Sequence, residues 1–271
     1  MEPRQRWRGF FVFGSAGCGL PLFTAGQDRY LWLMRSYIIH MAGDQKRAPN
    51  VARLMTELPQ PEVIEAVNGR AVLEAGGITV CNGDLHQPRY PFALRAGEIG
   101  CFLSHRKCWQ KIVDSADEFG LIVEDDLALD LGIWRDAIAL AENHATTESF
   151  FRLPAKHRET ATQLIATEGE ARLFLPRRIG LQTVAQMVGK AAAARLLAAT
   201  ETLDRPVDTF LQMHWIHGQM VHTIWPNGAS ELTEELGGST IQSRPTGGKI
   251  AREVKRALYR SQVALRPQKH S

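Results

Sequence analysis

Cysteine is scarce and unpatterned in this chain. Cys18, Cys81, Cys101 and Cys108 serve 271 residues and no two are spaced as CxxC, which argues against a disulfide-stapled scaffold and fits a reducing compartment. Long apolar runs are missing too. The stretch from Phe10 to Phe23 is interrupted by Gly14, Gly17 and Gly19 and is too short to span a bilayer. With Arg4, Arg6 and Arg8 before it and Thr24-Ala25-Gly26 after it, it has the outline of a signal peptide. Met34 nevertheless opens a stretch that reads as a domain start, so residues 1–33 are expected to be an extension, either a mis-called start or a loose arm. No internal repeat is visible. Gly247-Gly248-Lys249 lacks the earlier Gly and the following Ser or Thr of a phosphate loop.

Charge of one sign is also lacking overall, the formal balance being +3, but the ends are basic. From residue 249 onward Lys249, Arg252, Lys255, Arg256, Arg260, Arg266 and Lys269 face Glu253 alone. The body between is mildly acidic, which excludes a nucleic-acid groove with Lys and Arg spread over a folded face.

What is present suits one sizeable α/β domain, given 44% hydrophobic residues over this length. Arg35 to His40 reads as a buried strand ending at Gly43-Asp44. Val51, Leu54, Met55 and Leu58 form a helical stripe closed by Pro59 and Pro61, and Val63 to Val67 reads as a second strand. This β-α-β opening implies a parallel sheet with crossover helices. Residues 75–92 carry turn formers without a period and read as loop. Ile99, Phe102, Leu103, Trp109, Ile112 and Val113 recur at helical spacing from Gly97 to Val113. Further on, Leu173 to Leu175 reads as a strand, Val184 to Ala199 as an Ala-rich helix, and Arg205 to Met213 as a helix opening at Pro206.

The most informative point is Leu121-Ile122-Val123 running straight into Glu124-Asp125-Asp126. In an extended chain Glu124 and Asp126 project to one side and Asp125 to the other, so the outer two are candidate ligands for one Mg²⁺ or Mn²⁺ ion. Such an ion offsets charge building on a departing diphosphate. Adjacent acids at the end of a buried strand repel unless a cation or several donors compensate them.

The run Arg95-Ala96-Gly97-Glu98-Ile99-Gly100-Cys101-Phe102-Leu103-Ser104-His105, then Trp109, then Leu121 to Asp126, resembles glycosyltransferase family 25. That family comprises bacterial lipooligosaccharide galactosyltransferases and the collagen galactosyltransferases. Tyr37 to His40 with Arg47, Pro206-Val207-Asp208 and Gly238 to Ile241 resemble further family segments, so the likeness runs from about Met34 to Pro245. His40-Met41 stands where the family usually has Asn-Leu. Ala185 to Gly189 departs from the family's aromatic and Ser, which leaves sugar and acceptor open.

The resemblance implies a GT-A-like, Rossmann-type, mostly parallel sheet flanked by helices in a single domain. It implies a UDP-sugar donor, most often UDP-galactose, Mn²⁺ or Mg²⁺, and inversion. Glu124 and Asp126 then hold the metal, and Asp125 supports the nucleotide. Arg47, Gly97, Ser104, His105 and Ser239 shape the donor pocket. Asp208 is the candidate base that takes the acceptor proton, with Glu98 as the alternative; either acid also suits a first helical turn without any chemistry.

Cys101, His105 and Cys108 share a helical stripe, but a zinc site needs a fourth ligand that the spacing does not supply; small residues packing under Trp109, with His105 hydrogen-bonded, are the expected explanation. His214, His217 and His222 include no position that spacing selects as a ligand. In the tail, residues 246–271, Ile250, Val254, Ala257 and Leu258 fall on one face of a basic amphipathic helix, as an interfacial helix on an anionic membrane would have.

The expectation is therefore an N-terminal extension over 1–33, a glycosyltransferase domain over 34–245 and the tail. The protein would be cytoplasmic, peripheral on the inner face of the cytoplasmic membrane, building a lipopolysaccharide, lipooligosaccharide or other cell-surface glycan. A metal-dependent nucleotidyl or phosphoryl transferase also places acids at a strand end, and a degenerate, non-catalytic membrane-associated relative is the third reading.

Overall fold

Apolar and β-branched residues open the domain as a strand, β1 (Arg35–His40), and Pro49 starts the helix that follows it, α1 (Ala48–Glu57). The computed structural model describes residues 34–237 and 249–269. Next come β2 (Pro61–Glu65), α2 (Gly69–Glu74) and β3 (Thr79–Val80). The long α3 (Ala96–Asp114) leads to β4 (Phe119–Glu124), β5 (Leu127–Leu129) and α4 (Leu131–His144). After them lie β6 (Phe150–Arg152), β7 (Ala161–Glu168), β8 (Ala171–Pro176) and β9 (Ala185–Gly189). The chain continues through α5 (Lys190–Ala198), β10 (Thr202–Leu203), α6 (Val207–Leu211) and α7 (His214–His217). It closes with β11 (His222–Trp225), β12 (Ala229–Glu231) and α8 (Lys249–Ala264).

Eight strands make one sheet in the order β2-β1-β4-β9-β6-β11-β8-β7. β1 pairs in parallel with β2 and β4, and β6 with β11, while β9 and β8 run against their neighbours. Six of the eight strands therefore share a direction, so their carboxyl ends open on one rim, where open α/β sheets bind ligands.

Alternation along β4 feeds both faces. Leu121 and Val123 join Leu54, Trp134 and Ile138 of α1 and α4, whereas Ile122 joins Phe102, Trp109, Ile112 and Leu196 of α3 and α5. Both layers bury large side chains completely, Trp109 and Trp134 among them, at roughly 1.5–3 kcal/mol for a typical large apolar residue.

The expected helix over 184–199 divides in two. Ala185 to Gly189 forms β9, hydrogen-bonded to β4 on one side and β6 on the other, and only Lys190 onward is helical. Alanine favours helix in isolation, but a slot between two strands, with both faces covered, overrides that preference. The stretch from 75 to 92 is loop apart from the two residues of β3.

Two glycines let α3 approach the start of α2. A Cβ on Gly69 would lie 1.9 Å from the Ala96 carbonyl oxygen, and one on Gly100 would lie 2.4 Å from that of Val67. Ser104 locks this contact, its Oγ accepting from Val67 N at 2.8 Å and donating to Gly100 O at 2.7 Å.

The tail helix α8 docks through Tyr259 and Val263, which are buried, while Ile250, Val254 and Leu258 are 84%, 53% and 59% exposed. Among the described residues no helix is long and apolar enough to cross a membrane.

Candidate active site

Because β1 and β4 are parallel with Ile39 opposite Glu124, His40 is carried to the acidic cluster at the end of β4. There the extended conformation stops. β4 ends at Glu124, and Asp125 and Asp126 form the turn into β5, so the strict alternation expected for the three acids is interrupted.

Arg47 spans two of them. Its guanidinium pairs with Asp125 Oδ1 and lies 3.2 Å from Asp126 Oδ2, and all three residues are buried. Burial opposes the guanidinium charge, but Asp125 and Asp126 more than offset it and hold Arg47 above its ordinary pKa. His40 Nδ1 lies 2.8 Å from Asp125 Oδ2. Asn50 donates to the Asp125 and Leu127 carbonyls at 2.8 and 2.9 Å, pinning the turn to α1. Asp126 Oδ2 accepts from Thr233 at 2.8 Å, whereas Asp126 Oδ1 is buried with no hydrogen-bond partner among the described residues. Glu124 Oε1 accepts from Thr183 at 2.6 Å, and His105 Nε2 approaches that same oxygen at 3.5 Å.

These groups line a cleft of about 1320 Å³. Gly97, Glu98, Ser104 and His105 border it from α3, Asp208 from α6 and Arg256 from α8. The carboxylates facing it ionise unequally. Burial works against the Glu124 anion, yet His105, Thr183 and Arg47 outweigh it and set its pKa below the ordinary carboxyl value. For Asp208 burial wins over hydrogen bonds from Gln182 and Thr209, and the pKa is raised. Asp126 is raised as well, by burial and then by Glu124. Glu98 is raised by burial, and its Oε2 accepts from Arg95 N at 2.8 Å, the first-turn cap of α3.

Residues 34–211 match the family model described as glycosyltransferase family 25 (LPS biosynthesis protein). The chain belongs to glycosyltransferase family 25. Procollagen galactosyltransferase 1 of Danio rerio is 33% identical over 117 residues, 38% of this chain and 19% of that protein. Procollagen galactosyltransferase 2 of Mus musculus is 30% identical over 112 residues, 40% of this chain and 18% of that protein. The probable inactive glycosyltransferase 25 family member 3 of Rattus norvegicus is 28% identical over 187 residues, 65% of this chain and 32% of that protein. The matches thus span about a fifth to a third of these relatives. Among solved structures, a mannose-1-phosphate geranyltransferase from Thermus thermophilus overlays with a TM-score of 0.36 at 11% identity, covering 70% of this chain and 73% of that one, too loosely to carry an argument.

The residues that the family 25 resemblance singles out converge on the cleft, with Ser239 lying outside the described residues. Ser104 is occupied in joining α3 to the turn before α2, and Asp125 in holding Arg47 and His40. None of His214, His217 and His222 borders the cleft. His214 Nε2 lies 3.1 Å from the Arg266 carbonyl and His217 Nε2 3.2 Å from that of Leu211. Thr183 and Thr233 carry no local signal in the sequence; strand order alone brings them to the acids. His40 was findable, since ends of neighbouring parallel strands cluster on one rim.

Proposed function

We propose that this family 25 chain is a metal-dependent inverting glycosyltransferase with a GT-A-like site. It would move a hexose, galactose from UDP-galactose in the simplest case, onto a lipopolysaccharide, lipooligosaccharide or other cell-surface glycan. One observation carries the reading: Glu124, Asp126 and Asp208 line a single cleft, and Asp126 Oδ1 is buried there with no hydrogen-bond partner among the described residues. The surroundings, which favour the Glu124 anion through His105, Thr183 and Arg47 and the neutral form of Asp208 through burial, fit divided roles, one holding charge and one exchanging a proton.

The donor set suits a hard cation, because the buried Asp126 Oδ1 lacks a partner among the described residues and Glu124 stays ionised beside the same cleft. Glu124 and Asp126 would hold Mn²⁺ or Mg²⁺, which would neutralise charge on the departing diphosphate. Arg47 fixes the turn that presents them and keeps Asp125 compensated. Asp208 accepts the proton of the acceptor hydroxyl as that oxygen attacks the sugar, its raised pKa bringing it nearer the working pH of a general base. Gly97 would border the donor at the first turn of α3, and the exposed stripe on α8 beside Arg256 would rest on an anionic membrane that carries the acceptor.

Calorimetric titration with a panel of nucleotide sugars, with and without Mn²⁺, tests donor and metal together. Binding of a UDP-sugar only with Mn²⁺, followed by release of free UDP in the presence of acceptor, is the expected result. Pyrophosphate as product would assign nucleotidyl transfer instead, and failure of every UDP-sugar to bind would mark a non-catalytic relative.

A further inference from the structure

Cys101 and His105 stand one helical turn apart on α3 and so present one face. The spacing offers no further ligand, but the fold brings one from β4. A sulfur, a ring nitrogen and a carboxylate oxygen of Cys101, His105 and Glu124 all lie within 4.8 Å of one another. His105 is fully buried, and neither of its ring nitrogens completes a hydrogen bond among the described residues. Leaving a buried polar group unsatisfied costs about 1–3 kcal/mol, and the hydrogen bond expected for His105 beneath Trp109 is not formed, so packing alone does not account for this imidazole. Its Nε2 faces Glu124 Oε1 at 3.5 Å.

We propose that Cys101, His105 and Glu124 form a binding site for a borderline-soft divalent cation of the zinc type. A tetrahedral ion bound at usual zinc distances spaces S and N ligand atoms by roughly 3.5 Å; the His105–Glu124 pair is already there, and no pair in the trio, all within 4.8 Å, needs to contract by more than about 1.3 Å. Thiolate and imidazole select such an ion over Mg²⁺ or Mn²⁺, which prefer oxygen. All three residues line the cleft, giving the ion an entry path and leaving its fourth position for water or a substrate oxygen. Cys108, a turn farther along, is buried in the core beside Trp109 and is not in the group. Since Glu124 belongs to both ligand sets, zinc at this site opposes a hard cation at Glu124 and Asp126.

The test uses the full chain after dialysis against chelator. Titration with Co²⁺ is expected to produce a thiolate-to-cobalt charge-transfer band in the wild type and in Asp126→Ala, and none in Cys101→Ser, which retains Cys18, Cys81 and Cys108. His105→Gln should weaken Co²⁺ binding by more than about 100-fold, because loss of an outer partner alone costs about 10–100-fold. Should Cys101→Ser not fold, alkylation of wild-type Cys101 by iodoacetamide, followed by mass spectrometry, gives an independent reading: Zn²⁺ slows it and Mg²⁺ does not. A wild type without the band, a band that survives in Cys101→Ser, or an alkylation rate indifferent to Zn²⁺ overturns the proposal. No readout requires a sugar donor or acceptor, so a failure here is separable from a failure of the transferase reading.

Discussion

Arg47 is the side chain on which the acidic turn depends. It neutralises Asp125 and Asp126 inside the protein, where removing one partner of a buried ion pair costs about 3–5 kcal/mol. Arg47→Ala should lower unfolding free energy by about that amount in urea titrations, whereas a surface substitution such as Arg70→Ala should leave it unchanged. Asp126→Ala keeps Arg47 paired with Asp125, so the fold should persist while transfer falls at least about 100-fold, the worth of several kcal/mol of lost charge stabilisation; wild-type turnover in that variant would refute the ligand assignment. Asp208→Asn separates activity from stability. Its raised pKa means the native state keeps a proton that the unfolded chain gives up, so stability falls as pH rises through the interval between the two values. The variant should lose about 10²–10⁴-fold in kcat, lose the acid limb of the pH–rate profile, and melt higher than wild type at neutral pH.

At the scale of elements, α8 has two unlike faces. Tyr259 accepts a hydrogen bond from Arg205 at 3.1 Å and packs edge-on against Tyr90, while Ile250, Val254 and Leu258 remain open to solvent beside Lys255 and Arg260. Replacing Ile250, Val254 and Leu258 together by Glu should abolish sedimentation with vesicles rich in anionic lipid. Transfer to a soluble acceptor should be unaffected, and raised salt should weaken wild-type binding. Legibility in the sequence also divides by element. β1, α1, α3 and β4 were readable because their apolar periods agree with their burial. β9 was not, because Ala185, Gln186 and Gly189 have no β preference and the strand exists through its two neighbours. The acidic cluster was readable as three letters after an apolar run; the ring of Arg47, Asn50, Thr183 and Thr233 around it depends on contacts between distant segments.

For the molecule as a whole, pH also acts through a group that does not border the cleft. Burial lowers the pKa of His217 from 6.5 to about 4. Between those values the unfolded chain binds a proton that the native state refuses, so stability is full above about pH 6.5 and is lost as pH falls toward 4. Melting temperatures measured across that window should decline in wild type, and the decline should be shallower in His217→Gln. Charge is segregated over the same scale, an acidic body ending in a basic helix.

α8 is also part of the wall of the cleft: Arg256 borders it and lies over Phe92 at 5.7 Å, and Tyr259 meets Tyr90. Domains fold from the first-made end while the ribosome is still translating, and the sheet can form long before residue 259 emerges from the exit tunnel. A nascent chain would therefore hold its acidic cluster yet lack a finished cleft wall until that helix has been made.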